Sequence, residues 1–569
     1  MSPEQENSDY LRRQLIPYLG NKRSLLPRLG ALFQTLSANR ASIRFLDPFS
    51  GSGSVARLGR SLGYSVEAND WEPYSEAINR CWLELAPEDL EHAFGSEAEL
   101  ARVFSDWNAM HSQAGNRDID GRGEPYLARW YAPAVTGAPD LNRERLFYTA
   151  ENATFLDAAR NRLEAEFPLP EPGSVADVKR RVFLGAILLE AAVHSNTSGV
   201  FKAYHRGFGG HGKDALQRIL AKAELEVPVL VPGPTARVHR MDAIDFVRSR
   251  PADIVYLDPP YNQHQYGSNY HILNTIVRWD GAPVSLDLGE DGRLLRKAGI
   301  PESWKLTRSP FCRRPEAENA ITELIDSIDA AAIVVSWNGD GHVDEERMAG
   351  ILAERGRLEV RTLEYVTYRG GRQSDERQTA NREYLFVVRT DQPSDGSEAA
   401  IRQLSDARMR DQALRGRYDP DRLRSRFRVS SGSVALRVTG TELWPVPVAV
   451  PLKDLRRLSP EAVDLIDSLG KDQRHDLFMR LASCRCANAQ ENLEALLPLA
   501  ADPGPAGARA RKEVLLYLRK LAHPRYQADF IHFLREFEKL EVASINGSFH
   551  TGLDGLRALA KLRYGFDSI

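Results

Sequence analysis

A carboxylate and two prolines end an apolar run at residues 255–261, which read Val-Tyr-Leu-Asp-Pro-Pro-Tyr. Because proline has no N–H donor, Pro259 and Pro260 stop strand pairing and fix the direction of their carbonyl groups. Asp258 and the Pro259 carbonyl can then accept the two hydrogens of an exocyclic amine, which favours attack of its nitrogen on a methyl electrophile. Tyr261 offers a stacking face for a base taken out of a duplex. The alternative interpretation is a proline turn with a buried aromatic anchor.

A glycine-rich turn, Asp-Pro-Phe-Ser-Gly-Ser-Gly at 47–53, follows another apolar run. Small residues there let the backbone approach a ligand, and the start of the next helix offers unpaired N–H groups. Asp70 follows the next apolar run and is placed to accept hydrogen bonds from a ribose. No Gly-Lys-Ser/Thr sequence follows, and the third glycine of a dinucleotide fingerprint is missing. We therefore expect a ligand with a ribose and an amino-acid tail but no phosphate.

Both clusters need strands that end at one edge of a sheet, and the remaining pattern supplies them. Apolar runs alternate with amphipathic segments, which predicts a mainly parallel sheet with helices on both faces. Such sheets bind ligands at the carboxyl ends of their strands. Strands are predicted at 43–47, 65–68, 237–241, 253–257 and 331–337, an antiparallel closing pair at 358–368 and 383–389, and helices at 24–36, 55–62, 181–195, 242–248 and 344–355.

Composition limits the remaining choices. A chain of 569 residues exceeds one core, and a net charge of −3 means that any DNA-binding surface must be locally basic. No apolar run is long enough to span a membrane, and the polar N-terminus lacks a signal peptide. The four cysteines are too few for a disulfide framework and offer no zinc quartet, so no metal is expected. These features predict a cytoplasmic, nucleoid-associated protein.

The order of four motifs resembles the Dam-type, alpha-group DNA adenine-N6 methyltransferases over roughly residues 11–390. The motifs are Tyr-Leu-Gly-Asn-Lys at 18–22, the turn at 47–53, Asn-Asp at 69–70 and Asp-Pro-Pro-Tyr at 258–261. The resemblance implies a Rossmann-like methyltransferase sheet, S-adenosylmethionine as cofactor and a flipped target base. Ser-Trp-Asn at 336–338 and Asn-Arg-Glu-Tyr at 381–384 resemble later strand motifs, the first with Trp337 in place of the usual tyrosine.

The same resemblance implies individual cofactor contacts. Tyr18 and Lys22 would contact the cofactor, and Asp70 would hold its ribose. Asp242 would contact the cofactor's adenine, although alone it would be an ordinary helix N-cap. The methionine end would be lined by Asp47, Phe49, Gly51 and Gly53.

Two departures from the family pattern define the predicted domains. The catalytic domain is predicted at 1–84 and 236–392, and it is interrupted by a long, mostly helical target-recognition region at 85–235. A mainly helical C-terminal accessory domain at 393–569, with a small β element at 434–450, extends past the expected end of the catalytic domain. That extension carries no recognisable chemistry and suits DNA clamping, dimerisation or docking on subunits of a restriction or defence complex.

Two loops are predicted to contact double-stranded DNA. The first mixes cations, aromatic residues and glycines, and it could track phosphates and stack bases; its candidates are Lys202, Tyr204, His205, Arg206 and Lys213. The second follows the catalytic tetrapeptide and could cover the flipped base; its candidates are Gln263, Gln265, Tyr266 and Asn269. The arginine-rich stretches 304–314 and 369–382 are weaker candidates.

The leading hypothesis is a site-specific DNA methyltransferase that acts on adenine N6, in restriction-modification or phage defence. A close alternative keeps the site but methylates cytosine N4 or RNA adenine. A third is a non-catalytic DNA-recognition subunit of a defence complex.

Overall fold

The computed structural model describes most of the chain as two compact units, Met1–Ile401 and Arg402–Ile569. The boundary predicted at residue 393 falls shortly before the second unit begins. The described residues are 3–38, 40–113, 125–209, 214–338, 341–366, 380–394, 398, 400–402, 404–405, 418–430, 433–438, 441–447, 468–540 and 547–564.

A seven-stranded mixed sheet forms the centre of the first unit, in the order β3-β2-β1-β4-β5-β7-β6. The first five strands pair in parallel, and β7 runs antiparallel to both β5 and β6. The predicted Rossmann-like sheet and its antiparallel closing pair are confirmed. The strands are β1 Arg44–Asp47, β2 Ser65–Asn69, β3 Arg237–His239, β4 Ala252–Leu257, β5 Ala330–Asn338, β6 Arg357–Val366 and β7 Ala380–Arg389.

Both faces of the central strands are buried. In β4, Ile254 and Tyr256 belong to the core cluster that includes the helix Leu26–Ser37, while Val255 and Leu257 are equally buried on the opposite face. This explains why β4 reads as a continuous apolar run rather than an alternating one. Each such side chain contributes about 1.5–3 kcal/mol through burial.

The strand order reverses between β1 and β4. From β1 the chain continues to β2 and β3 on one side, whereas β4 is followed by β5 on the other. The residues after β1 and β4 therefore flank the crevice where open α/β sheets bind their ligands.

Helices between β2 and β3 share one core with helices that flank the sheet. Trp107 and Phe183 stack at 3.8 Å between ring centroids, and the same cluster contains Tyr74 and Tyr270. The region predicted as an insertion at 85–235 is thus packed into the first unit. The first unit's helices are Pro3–Arg12, Leu26–Ser37, Ser54–Ser61, Pro73–Asn79, the π-helical Arg80–Glu84, Pro87–Phe94, Glu97–Asn108, Met110–Gln113, Leu127–Trp130, Ala150–Glu166, Val175–Val193, Ala215–Leu220, Ala243–Arg248, Tyr266–Asn269, His271–Arg278, the 3-10 turns Glu302–Thr307 and Pro310–Cys312, Arg314–Asp326 and Glu345–Ala353.

The second unit is mainly helical, as predicted. A three-stranded antiparallel sheet, β8 Arg428–Ser430, β9 Ser433–Val438 and β10 Thr441–Pro447, precedes most of the helices. Val514, Leu518 and Phe530 are fully buried in its helical core. The helices are Pro420–Arg426, Lys471–Ser483, Ala489–Ala500, Pro505–Leu521, the 3-10 turn Pro524–Tyr526, Gln527–Glu538 and Gly547–Tyr564. Throughout the described residues, none of the helices has the length and apolar character needed to cross a membrane.

Candidate active site

A pocket of about 880 Å³ opens at the carboxyl edge of the sheet, where β1, β2 and β4 end. Asp47, Asp70 and Asp258 all line it, each at or just after the end of a different strand. Three acidic side chains that are far apart in sequence are thus brought to one place by parallel pairing.

Asp70 holds the glycine turn in shape. Its Oδ2 accepts a hydrogen bond from the Gly51 N–H at 2.9 Å, and its Oδ1 accepts one from the Glu72 N–H at 2.9 Å. Burial raises the pKa of the Asp70 carboxyl, and these N–H groups oppose that rise. Asp70 therefore connects the ends of β1 and β2 while still lining the pocket.

Two glycines of the turn adopt backbone conformations that other residues rarely take. Gly51 has a φ of +49°, and a Cβ there would lie 2.8 Å from the Tyr18 ring. Gly53 has a φ of +79°, and a Cβ there would lie 2.1 Å from Asn79 Oδ1. The turn thus requires glycine at both positions, for backbone conformation and for space.

Asp47 carries a buried carboxylate with an unused acceptor. Its Oδ1 has no hydrogen-bond partner within the described part of the chain, although the residue is only 1% exposed. Burial and the neighbouring Asp258 raise its pKa well above the usual range, while the N–H groups of Phe49 and Ala56 oppose that rise. A buried acceptor of this kind in a pocket wall suits an ammonium group of a ligand.

Aromatic rings form the part of the pocket wall that lies against the turn. Tyr18 stacks on Tyr270 at 5.0 Å and lies 5.5 Å from Tyr266, measured between ring centroids. The Tyr18 and Tyr74 hydroxyls are hydrogen-bonded at 3.0 Å. Burial raises the pKa of Tyr18 well above its usual value, so its hydroxyl stays neutral.

Lys22 links the two carboxylates at the centre of the site. Its Nζ lies 3.1 Å from Asp258 Oδ1 and 2.9 Å from Glu383 Oε1, and it also donates to the Gly20 carbonyl at 3.1 Å. Burial alone would lower the Lys22 pKa, but the two carboxylates raise it well above the usual value. Lys22 is therefore a permanent cation at this position.

The pKa of the Asp258 carboxyl depends on burial and on two neighbouring charges. Burial raises its pKa, the Lys22 charge lowers it, and Glu383 raises it again, which together set it at about 6. Glu383 reaches this cluster because β7 is antiparallel to β5, which pairs Glu383 with Asn338 at the carboxyl end of β5. The Ser336 hydroxyl donates to the Glu383 carboxylate.

The segment 302–312 closes the side of the pocket next to Asp70. Thr307, Ser309 and Phe311 line the pocket, and the Phe311 ring packs edge-on against Phe49 at 5.4 Å. Gln265 fixes the segment, because its side-chain amide donates to the Ser309 carbonyl at 3.2 Å and accepts from the Ser309 N–H at 3.0 Å.

Glu72 is a second buried carboxyl beside this segment. It lines the pocket and accepts a hydrogen bond from Asn274 Nδ2 at 2.6 Å. Burial raises its pKa to about 7, and hydrogen bonds from Asn274 and Thr307 oppose the rise.

Comparison with known proteins shows which proteins the residues of this site resemble. The sequence profile of the D12 class of N6 adenine-specific DNA methyltransferases matches residues 18–289. The chain resembles this class over that range. The match includes the turn at 47–53 and the tetrapeptide at 258–261, so the predicted resemblance to adenine-N6 DNA methyltransferases is confirmed.

Curated relatives of the chain are distant in sequence, and their names agree with the profile match. The chain is 26% identical to the type II methyltransferase M.FokI of Planomicrobium okeanokoites over 380 residues, which are 66% of this chain and 52% of the relative. It is 26% identical to the type II methyltransferase M.NlaIII of Neisseria lactamica over 376 residues, 65% of this chain and 98% of the relative. The modification methylase StsI of Streptococcus sanguinis is 25% identical over 377 residues, 65% of this chain and 51% of the relative.

The chain thus spans about half the length of M.FokI and of StsI, and nearly all of M.NlaIII. No solved structure matches it significantly.

Most residues predicted to bind the cofactor lie in the wall of this pocket. Gly53 lies behind the wall against Asn79. Asp242 lines the pocket and also caps its helix, where its Oδ1 accepts from the Ile244 N–H at 2.8 Å, so both interpretations of this residue fit the structure. The predicted residues in the wall are Tyr18, Lys22, Asp47, Phe49, Gly51, Asp70 and Asp242.

The residues of the tetrapeptide at 258–261 divide between the pocket and its surroundings. Asp258 and Pro260 line the pocket. Pro259 is buried, and the Tyr261 ring lies edge-on to Trp337 at 5.7 Å. Trp337 is itself held by a hydrogen bond from its Nε1 to the Val343 carbonyl at 3.1 Å.

The loop predicted to cover a flipped base turns partly inward. Gln263 is exposed, and Tyr266 lines the pocket. Gln265 is 8% exposed with its amide bonded to Ser309, and Asn269 is 1% exposed. Gln265 also lines the pocket, and base readout by Gln265 and Asn269 stays a prediction.

The other predicted DNA loop keeps its cations at the surface. Lys202 and Arg206 are exposed, and His205 is partly buried. Tyr204 packs edge-on against Phe147 at 5.0 Å between ring centroids. Lys213 lies outside the described residues.

Sequence reasoning does not assign roles to several residues of the site. The most important are Glu383, which the sequence places only within a strand motif, and Glu72; the others are Trp71, Thr307, Ser309 and Phe311. Glu72 follows Asp70 by two residues, which is the one local signal that points to it. Across the described residues, no cluster of His, Cys, Asp and Glu suits a metal ion.

Proposed function

We propose that the protein transfers a methyl group from S-adenosylmethionine to N6 of adenine at specific sites in double-stranded DNA. The observation that carries this proposal is the position of the Asp258 carboxylate. It stands next to the Asp47–Gly53 turn across the β1/β4 crevice, in a chain that resembles a DNA adenine-methylating class.

The pocket fits S-adenosylmethionine by the chemistry of its donors. The unpartnered Asp47 Oδ1 suits the ammonium of the amino-acid tail, and the glycine turn admits a ligand close to its backbone. Asp70 and the neighbouring Glu72 suit ribose hydroxyls, and the Phe49–Phe311 pair and Asp242 suit an adenine ring. When bound, S-adenosylmethionine supplies a methyl group on a positively charged sulfur.

Asp258 acts on the target amine. With a pKa of about 6 it is ionised at neutral pH and accepts a hydrogen from N6, while the Pro259 carbonyl accepts the second. The N–C bond forms as the S–C bond breaks, which leaves positive charge on N6. The Asp258 carboxylate stabilises that charge and then takes the released proton.

Lys22 and Glu383 position and tune Asp258. Lys22 holds the carboxylate by its 3.1 Å contact and favours its ionised form, while Glu383 anchors Lys22 from the other side. Tyr261 is proposed to stack on the flipped adenine. Lys202, Arg206 and Gln263, which are exposed, are proposed to contact DNA with Tyr204, His205 and Lys213.

The test is transfer of tritium from labelled S-adenosylmethionine to duplex DNA, followed by digestion to nucleosides. We expect N6-methyl-2′-deoxyadenosine from DNA, and none from Asp258→Ala. Product as N4-methyl-2′-deoxycytidine, or a preference for RNA, would overturn the choice of substrate. A folded protein that labels no adenine-containing DNA would overturn the enzymatic proposal.

We also propose that residues 393–569 bind subunits of a restriction or defence system, in the cytoplasm where the DNA lies. Their helices form a core of their own, so they are available for a task other than methyl transfer. Copurification of a nuclease or helicase with the full chain would support this, and a monomeric, fully active enzyme would count against it.

A further inference from the structure

An exposed leucine stands at the rim of the candidate active site. Leu306 is 82% exposed and belongs to the 3-10 turn Glu302–Thr307. The next residue, Thr307, lines the pocket, and so does Ser309. Single exposed leucines are common on protein surfaces. Leu306 lies directly beside the pocket that holds Asp258, as Leu19 does, but Leu19 is only 40% exposed.

The turn that carries Leu306 is fixed to the body of the pocket on both sides. Near its start, Ser303 accepts a hydrogen bond from Arg278 Nη1 at 3.2 Å. After it, Gln265 binds the Ser309 backbone through both ends of its amide, and Phe311 packs against Phe49. Leu306 is thus an apolar side chain presented to solvent on an anchored support.

The surface around Leu306 carries positive charge. Within residues 302–314, the exposed charged side chains are one carboxylate, Glu302, and four cations, Lys305, Arg308, Arg313 and Arg314. Lys305 pairs with Glu302, and Arg313 pairs with Glu316 just beyond this range. Lys202 lies close enough to Cys312 and His264 that, beside the larger effect of burial, it lowers the pKa of both groups, so it adds a further cation beside the same segment. Cations grouped beside a pocket suit the phosphates of a duplex.

We propose that Leu306 is the wedge that enters the base stack when the target adenine leaves it, with Lys305 and Arg308 on the adjacent phosphates. This proposal rests on the proposed function. Leucine is one of the apolar side chains that proteins insert between base steps, and unstacking a base costs a few kcal/mol that such an insertion partly offsets. The Leu306 side chain is largely exposed, so it is not packed against other apolar side chains of the protein.

The test compares Leu306→Ala with Leu169→Ala. Leu169 is 91% exposed between the helices Ala150–Glu166 and Val175–Val193, and it does not line the pocket. Leu169→Ala is therefore the same substitution of an exposed leucine, made away from the pocket. The substrate is a short synthetic duplex that carries the site mapped by long-read sequencing of plasmid DNA methylated by the wild-type protein.

Methylation is measured on this duplex and on a copy with an abasic site opposite the target adenine. In a third duplex, 2-aminopurine replaces the adenine and emits more strongly when it is unstacked. We expect Leu306→Ala to methylate the paired duplex about tenfold or more slowly, and to lose most of the 2-aminopurine emission. Its rate on the abasic duplex should return to within about twofold of wild type, because the adenine there is already unpaired. Leu169→Ala should match wild type on all three.

An active wild-type protein whose Leu306→Ala variant equals it on the paired duplex would overturn the wedge alone. The wedge is likewise overturned if the abasic duplex does not restore the rate of Leu306→Ala. A wild-type protein that methylates no duplex would overturn the proposed function and the wedge with it.

Discussion

Lys22 and Asp258 form an ion pair in which Nζ and Oδ1 are 3.1 Å apart, with Lys22 almost fully buried and the Asp258 side chain 21% exposed to the pocket. The lysine precedes β1 and the aspartate follows β4. The pair therefore joins the segment before the helix Leu26–Ser37 to the carboxyl end of β4. Lys22 lowers the Asp258 pKa, while burial and Glu383 raise it. The charge of Asp258 therefore depends on its burial and on both neighbouring charges.

Replacing Asp258 by asparagine should lower single-turnover methyl transfer by about a hundredfold or more, because the negative charge that stabilises the amine is lost. The matched control is Asp253→Asn in the same strand. Asp253 accepts from the Arg44 N–H at 2.8 Å near the opposite end of β4, so its loss should leave the rate within about twofold of wild type. Equal rates for the two variants would contradict the role of Asp258.

The pH dependence of the rate should report the ionisation of Asp258. The active form is the carboxylate, so the rate should rise with pH through about 6 and then level off. Lys22→Met removes a charge that lowers the Asp258 pKa, so the acidic limb should move to higher pH. Glu383→Gln removes a charge that raises it, so the limb should move to lower pH. If the acidic limb of the pH–rate profile stays at the same pH in both variants, Lys22 and Glu383 do not control the pKa of Asp258.

Gly53→Ala should destabilise the fold more than Gly63→Ala. The two glycines have nearly equal φ values, +79° and +80°, so both substitutions carry the same backbone strain of about 1–2 kcal/mol. A Cβ at Gly53 would also lie 2.1 Å from Asn79 Oδ1, whereas nothing lies within 4 Å at Gly63. We expect an additional loss of about 1–3 kcal/mol in the free energy of unfolding for Gly53→Ala, measured by urea denaturation. Equal losses would show that Asn79 yields without cost.

Gln265→Ala and Gln263→Ala should affect different steps. Gln265 holds the pocket segment through Ser309, so its loss should weaken binding of S-adenosylmethionine by about tenfold, measured by calorimetry without DNA. Gln263 is exposed, so its loss should leave that affinity unchanged and act only on DNA binding. If Gln265→Ala instead changed only the affinity for DNA, the predicted role of Gln265 in reading bases would be supported.

The alternating strands and helices and the two motif clusters could be predicted because each depends on neighbours in sequence. Asp258 follows its own apolar strand, and the turn around Gly51 and Gly53 lies directly between β1 and its helix. Parallel pairing then determines that they meet. Predicted and observed strand ends differ by at most one residue at β1, β2 and β4.

The residues that could not be assigned depend on long-range packing. Glu383 reaches Lys22 only through the register of β5 and β7, which no local pattern encodes. Gln265 and Asn269 are polar residues in a loop-like stretch, and only the tertiary structure shows that they are buried. Phe311 is a pocket residue because its segment returns to Phe49 from some 260 positions away, a contact with no periodic signal.

The register of β7 against β5 also sets when the site can first be completed during synthesis. Lys22 and Asp258 leave the ribosome long before Glu383, and translation adds about 5–20 residues each second. Until β7 inserts between β5 and β6, Lys22 lacks its second carboxylate and the sheet ends at β5. A nascent chain, or a chain that terminates before β7, therefore carries both sequence motifs without the finished site.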